Sequence, residues 1–340
     1  MTSREIVSRA IHFKNPPRLP VMMGLLGVSD ASYVGLGWAK GFRPSVPNED
    51  EWGCVWEKTG VPNMGQVKGH PLHGPADIAR MRVPDYDDDS RYAGAFKELA
   101  SNEAAGRYVT IGIFMVLFER MHTTYGFENV LEGLLDDRPN MEALADRIVE
   151  THLKLVDNVG RRFGNRVHGI TMTDDWGTQL AAFISFGLWM DFFYPRYKRL
   201  FDRMHSYGYD VWVHSCGKVN EIVEGLIQAG ANVVNLQQPR ALGIEEMGRR
   251  YRGRITFESL ADIQATIPTG DRGKVDEDVR LLEGHWMKPE GGFIFSDYGD
   301  DDALGLKDDV LKRYMYGRFS QASERVYGNP LPSIENKKGS

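Results

Sequence analysis

The sequence predicts an α/β protein built as a (β/α)8 TIM barrel, and three observations carry that prediction. Short runs rich in β-branched and aromatic residues alternate with longer stretches of helical period, the pattern that produces a parallel sheet covered by helices. Most of these runs are followed at once by acids, amides, an imidazole or a thiol, as expected where the loops after parallel strands converge on one mouth. The 340 residues suit an elaborated barrel, a fold that takes roughly 250 residues before insertions.

The first predicted strand is Leu19–Met23. Residues 24–106 are dense in Gly and Pro, carry Trp38, Trp52, Trp56 and Tyr86, and have no clear period. They read either as an N-terminal elaboration covering the barrel mouth, since long irregular segments are often functional, or as packing alone. The acidic run Asp85–Asp89 after Pro84 reads as a solvated turn. Further strands are expected at Tyr108–Phe114, Val167–Met172, Asp210–His214, Asn232–Leu236, Arg254–Phe257 and Phe293–Phe295. An eighth must lie in an ambiguous region.

Between the strands, Met141–Phe163 keeps Leu144, Ile148 and Leu155 at roughly helical spacing. Leu188–Tyr207, Val219–Gly230, Asp276–Trp286 and Leu306–Arg325 are further examples of predicted helices. Pro139 and Asn140 open the first, and Gly208 and Gly230 close the next two. Residues 1–328 are therefore expected to form one barrel domain, followed by a flexible polar tail over 329–340.

Composition narrows the function. With 42% hydrophobic and 26% charged residues the chain can bury a full core. A net charge of −6 supplies no basic face for nucleic acid, so a small-molecule substrate is the expected partner. Met1–Pro20 carries charges throughout, and no stretch reaches the roughly 18 apolar residues of a membrane span. A cytoplasmic protein without membrane partners is expected. Cys54 and Cys216 are too few for a disulfide framework and read as buried thiols or thiolate ligands.

The strand ends then nominate the chemistry. Asp174 and Asp175 follow one strand, and His214-Ser-Cys216-Gly ends the next. Gln237 and Gln238, then Glu258, then Asp297 and Asp300 follow the later ones. A His and a Cys two residues apart on extended backbone face one side and can share an ion. Imidazole with thiolate suits zinc, although a satisfied histidine beside a buried thiol has the same spacing. One of the paired aspartates is expected to cap the following helix, leaving Asp175 to face the site. Glu119 and Arg120 read as an internal ion pair or a substrate clamp. Trp176, Phe183, Phe186 and Trp189 are either core or the walls of a site for a ring-bearing substrate.

Taken in order, Asp-Asp-Trp-Gly-Thr-Gln at 174–179, Val-His-Ser-Cys-Gly at 213–217, Asn-Leu-Gln-Gln-Pro at 235–239 and Leu-Ala-Asp-Ile-Gln at 260–264 resemble the uroporphyrinogen decarboxylase superfamily. Arg-Leu-Pro-Val at 18–21, Glu-Trp-Gly-Cys-Val-Trp at 51–56 and Gly-Gly-Phe-Ile at 291–294 extend the resemblance over about residues 3–325. It implies one of two chemistries, cofactor-free porphyrinogen decarboxylation or zinc-dependent methyl transfer involving corrinoid (cobalamin) proteins. The decarboxylases carry an arginine-rich stretch after the first strand, where this chain reads Met-Gly-Leu-Leu-Gly at 23–27. His214 and Cys216 match the first two zinc ligands of the methyltransferases, whose third is a cysteine in the loop after the last strand. Ser-Asp-Tyr-Gly-Asp-Asp at 296–301 stands there instead, leaving Asp297 or Asp300 as an oxygen ligand.

The resemblance thus implies a methyltransferase moving a methyl group between a small methoxylated or methylated substrate, such as an aromatic ether in an O-demethylase, and a corrinoid protein or thiol. Its catalytic residues would be Asp175, His214 and Glu119, its metal ligands His214, Cys216 and Asp297 or Asp300. Gln179, Gln238, Trp176 and Glu258 would contact substrate. The alternative is a metal-free decarboxylase in which Asp175 and His214 handle protons. A non-enzymatic corrinoid or tetrapyrrole binder is a third reading. Barrels of this family often dimerise, so a homodimer is expected.

Overall fold

The structure, a computed structural model, describes residues 1–60 and 65–334. Its strands are β1 (Val21–Met23), β2 (Val28–Ser29), β3 (Ala31–Val34), β4 (Val55–Glu57), β5 (Gln66–Gly69), β6 (Tyr108–Ile113), β7 (Gly169–Thr173), β8 (Asp210–His214), β9 (Val233–Asn235), β10 (Thr256–Ser259) and β11 (Phe293–Ser296). The main sheet runs β2-β1-β11-β10-β9-β8-β7-β6-β3. All its pairings are parallel except β1 with β2, and with the helices between strands this is the (β/α)8 barrel.

Asp30 joins the two ends of the sheet. Its backbone N–H donates to Val21 O (2.8 Å) while its own carbonyl accepts from Tyr108 N at the start of β6 (2.9 Å). Its carboxylate accepts from Val21 N (2.9 Å), from Ser3 Oγ (2.6 Å) and, on both oxygens, from the Arg18 guanidinium (2.6 and 2.7 Å). One buried side chain therefore satisfies backbone that the ladder leaves open at the seam.

Every strand expected from the sequence overlaps an observed one, with bounds shifted by up to two residues at either end. The eighth is β3, inside the segment read as irregular. Ala-Ser-Tyr-Val has a single β-branched residue and no alternation, yet all four residues pair with β6 in register. The long helices lie where expected, as Arg138–Phe163, Tyr194–Ser206, Asn220–Ala229, Arg272–His285 and Val310–Tyr327. Helices Ser3–Ile11, Ala95–Ala104, Phe118–Tyr125 and Phe127–Asp136 were not expected.

Strand period divides the apolar residues between two cores. Outward-facing Ile170, Val211, Val213, Val234, Phe257 and Phe295 pack under the helices, each contributing about 1.5–3 kcal/mol if fully buried. Inside the barrel, Ala31, Tyr108, Trp212, Val233 and Ile294 pack against Val7 and Ile11 of helix Ser3–Ile11. That helix starts with a reciprocal cap, in which Thr2 Oγ1 accepts from Glu5 N (3.2 Å) and Glu5 Oε2 from Thr2 N (2.7 Å). It plugs the amino-terminal end of the barrel and leaves the carboxyl ends of the strands open.

Outside β2, β3 and helix Ala95–Ala104, the described residues of the elaboration form the antiparallel β4–β5 pair, short 3-10 turns and loops held by side chains. Arg91 pairs with Glu51 and donates to Asp85 O and Gly37 O (both 2.7 Å). Asp87 accepts from Asn158 (2.9 Å) and Asp89 pairs with Arg162, so part of the acidic run fastens this segment to helix Arg138–Phe163. Of the expected tail, Leu331 is buried and its N–H donates to Ser320 Oγ (3.1 Å); residues 335–340 lie outside the described residues. Among the described residues no helix is long and apolar enough to cross a membrane.

Candidate metal and substrate site

Register builds the floor of the site. Thr173 of β7 lies opposite His214 of β8, His214 opposite Asn235 of β9, and Asn235 opposite Glu258 of β10. These residues stand two positions above the layer of Trp212 and Val233, so strand period turns them inward as well. All four line a cavity of about 350 Å³ at the barrel mouth, together with Gln237, Tyr33 and Phe114. That volume is at the small end of ligand pockets.

His214 is held in one tautomer. Its Nδ1 lies 2.6 Å from Asn235 Oδ1, which only accepts, so Nδ1 carries a proton and the lone pair of the neutral ring is on Nε2. Nε2 lies 3.4 Å from Cys216 Sγ and 3.7 Å from Asp175 Oδ1. The same Asp175 oxygen accepts from Cys216 N (2.7 Å), which locks the two loops together. Ligand atoms of Asp175, His214 and Cys216 all lie within 4.8 Å of one another, and each residue is partly exposed. Gly217 makes the turn at φ +83°, where an added Cβ would also strike the carbonyl of Gly177.

The paired aspartates divide their work. Asp174 is fully buried and accepts from Phe118 N (2.9 Å), Glu119 N (2.6 Å) and the Tyr197 hydroxyl. It caps helix Phe118–Tyr125, which precedes it in the chain, rather than the following helix. Desolvation raises its pKa to about 7 against those hydrogen bonds. Burial, followed by the charges of Asp175 and Asp174, pushes Glu119 up to about 9. Burial likewise raises the Cys216 thiol, and the Asp175 carboxylate adds to the rise. Glu258 is raised by burial, which hydrogen bonds to Asn235 and Ser296 oppose.

The other expected ligands are engaged elsewhere. Asp297 lies 2.6 Å from the buried Lys312 ammonium, which also pairs with Asp301, because an ammonium at that depth requires counter-charge. Asp300 accepts from Ala303 N (3.0 Å) in an exposed turn. Neither belongs to the cluster of potential ligands, in which the oxygen comes from Asp175. Cys54 is fully buried and donates to Thr123 O (3.2 Å); burial and Asp50 push it up to about 12.

Among the expected substrate contacts, Glu258 lines the cavity and Trp176 does not. Trp176 is fully buried, stacked on Phe118 at 4.5 Å and edge-on to Phe193 at 4.6 Å, so it belongs to the core behind the sheet. Gln238 Oε1 accepts from Gln179 Nε2 (2.9 Å) and Gly217 N (3.1 Å) and thereby ties loops together. Gln237, its neighbour, faces the cavity instead. Sequence reasoning missed Asn235 and Tyr33. Alternation in Val233, Asn235 and Gln237 marks Asn235 as inward, whereas nothing local marks Tyr33.

Comparison with known proteins adds family and fold. The family model for uroporphyrinogen decarboxylase (URO-D) matches residues 58–255. No curated protein sequence matches. Among solved structures, a methyltransferase from Methanosarcina mazei is similar with a TM-score of 0.69 at 13% identity, covering 96% of this chain and 99% of that one. A glycosylated endo-β-1,4-xylanase from Gloeophyllum trabeum reaches a TM-score of 0.44 at 9% identity, covering 87% and 86%.

Proposed function

Because this chain belongs to the uroporphyrinogen decarboxylase family, we propose that it is a metal-assisted methyltransferase of that family. It would move a methyl group between a small methoxylated or methylated substrate and a corrinoid protein or thiol. The observation that carries this reading is the convergence of His214, Cys216 and Asp175.

The donor set fits zinc, which takes imidazole, thiolate and carboxylate and keeps a fourth position for substrate in catalytic sites. His214 already presents a lone pair, and Asn235 gives its ring the outer support that metal-bound imidazoles use. The Asp175 carboxylate raises the neighbouring thiol in the absence of an ion; a dication between them turns that repulsion into shared attraction. A zinc ion held there supplies Lewis acidity toward an ether oxygen or a substrate thiol.

The chain's own residues supply the rest. Asn235 orients His214, and Gln238 holds the Gly217 turn. Glu119, raised chiefly by burial and set beside Asp175, is the residue we assign to hold a proton for the leaving group. The cavity beside His214 has no Lys or Arg among its described lining residues, which disfavours a tetra-acid porphyrinogen. The M. mazei methyltransferase is consistent in fold only.

Metal analysis of protein purified without chelator tests the proposal. About one zinc per chain is expected in the wild type and little in Cys216→Ser. Methyl transfer should fall by more than the roughly 100-fold seen when a ligand's supporting partner is lost. A metal-free wild type that remains active would overturn the zinc mechanism and favour the decarboxylase reading, in which Asp175 and His214 move protons.

A further inference from the structure

A second cavity of about 350 Å³ meets the first at Tyr33, Gly112, Ile113 and Phe114. Its remaining walls come largely from the elaboration, including Trp38, Trp52 and Trp56, and from Arg120. Trp56 stacks on Phe114 at 6.1 Å between centroids. Gly112 gives the Tyr33 ring its place, since an added Cβ would collide with that ring.

Arg120 is the unusual member. Its side chain is 3% exposed, and its guanidinium sits 4.8 Å from the Trp52 ring. Nη2 donates to Phe114 O (3.1 Å), but Nε and Nη1 have no hydrogen-bond partner among the described residues. It does not pair with Glu119, which faces Asp175. The nearest counter-charge is Asp50, 3.6 Å from Nη1, beyond hydrogen-bond length. Asp50 is already occupied: Oδ1 accepts from Trp52 N (3.0 Å) and Cys54 N (2.9 Å), and Oδ2 from Trp56 Nε1 (3.0 Å). Arg91 and Glu51, the other charged lining groups, satisfy each other.

A buried guanidinium with idle N–H donors is costly unless something completes it. We infer that Arg120 is the recognition group for a carboxylate on the substrate, held flat among the aromatic rings of the outer cavity. The inference rests on the methyltransferase reading for the reactive end of the molecule. It goes beyond that reading by assigning the substrate class, a small aromatic monocarboxylic acid, and by giving the elaboration a role in specificity.

Binding of 4-methoxybenzoate and its neutral counterpart 4-methoxybenzamide, measured calorimetrically, tests it without turnover. Wild type should bind the acid about 10- to 100-fold more tightly, the range of a charge-assisted hydrogen bond. Arg120→Gln should abolish that preference by weakening the acid alone. Chelator-treated wild type should keep it, which separates this inference from the metal mechanism. Equal binding of acid and amide by the wild type, or a preference that survives in folded Arg120→Gln, overturns the inference. Wild type alone decides the matter if the variant does not fold.

Discussion

On the β7–β10 side of the mouth, Thr173, His214, Asn235 and Glu258 stand in one row because four parallel strands share a register. On the opposite side, the loops that follow β3 carry no ladder of their own beyond the β4–β5 hairpin, and they are positioned by side chains such as Arg91, Asp87 and Asp50. The first side fixes donors through backbone hydrogen bonds, which few single substitutions disturb. The second depends on individual ion pairs and rings. With the proposed reaction centre on the rigid wall and the proposed recognition chamber on the side-chain-built wall, specificity could change without disturbing the chemistry.

The largest effect is expected at the seam between these sides. Asp30→Ala leaves the nearly buried Arg18 guanidinium without its partner and frees Val21 N, for a loss of about 3–5 kcal/mol. Chemical denaturation of chelator-treated protein would register it, whereas under the same metal-free conditions Cys216→Ser should leave the unfolding midpoint close to wild type. Equal damage from both would erase the distinction.

A smaller effect is expected within the row. Asn235→Ala removes the acceptor that fixes His214 and should weaken zinc binding by roughly 10- to 100-fold in chelator competition. Asn235→Asp, which keeps an acceptor, should recover much of it. Unchanged affinity in the alanine variant would mean that the row does not orient the ligand.

The last prediction concerns pH. Glu119 is raised to about 9 in the folded protein, so the native state binds more protons than the unfolded one between the ordinary carboxylate range and that value. Stability contributed by this group therefore falls as pH rises through the window. Asp174, raised to about 7, acts in the same direction over a narrower range. Glu119→Gln should raise the urea midpoint relative to wild type near pH 8 and change it little near pH 5; a shift of equal size at both would refute the assignment.

How much of this was legible follows from the same contrast. Tyr108–Ile113 and Asp210–His214 announce themselves because β-branched and aromatic residues are followed directly by a change of composition. Ala31–Val34 does not, since its strand conformation is imposed by pairing with β6. His214, Cys216 and Asp175 could be proposed from local spacing. Asp297 could not be ruled out, because its partner Lys312 lies on the following helix and only the fold brings them together. Trp176 looked like a substrate contact for the converse reason: sequence order shows proximity to the mouth but not which way a ring turns.

The plug at the amino-terminal end also constrains how the protein is made. Val21 of β1 pairs with Phe295 of β11, and Gly292 N donates to Ala10 O (2.8 Å) of the first helix. These segments thus find their partners only after about 270 further residues have been translated, roughly 15–50 s later at about 5–20 residues per second. During that interval the β1 edge and the apolar face of Val7 and Ile11 stand open to stray pairing. Slowed elongation between β1 and β11 should therefore reduce soluble yield more than the same delay after residue 296.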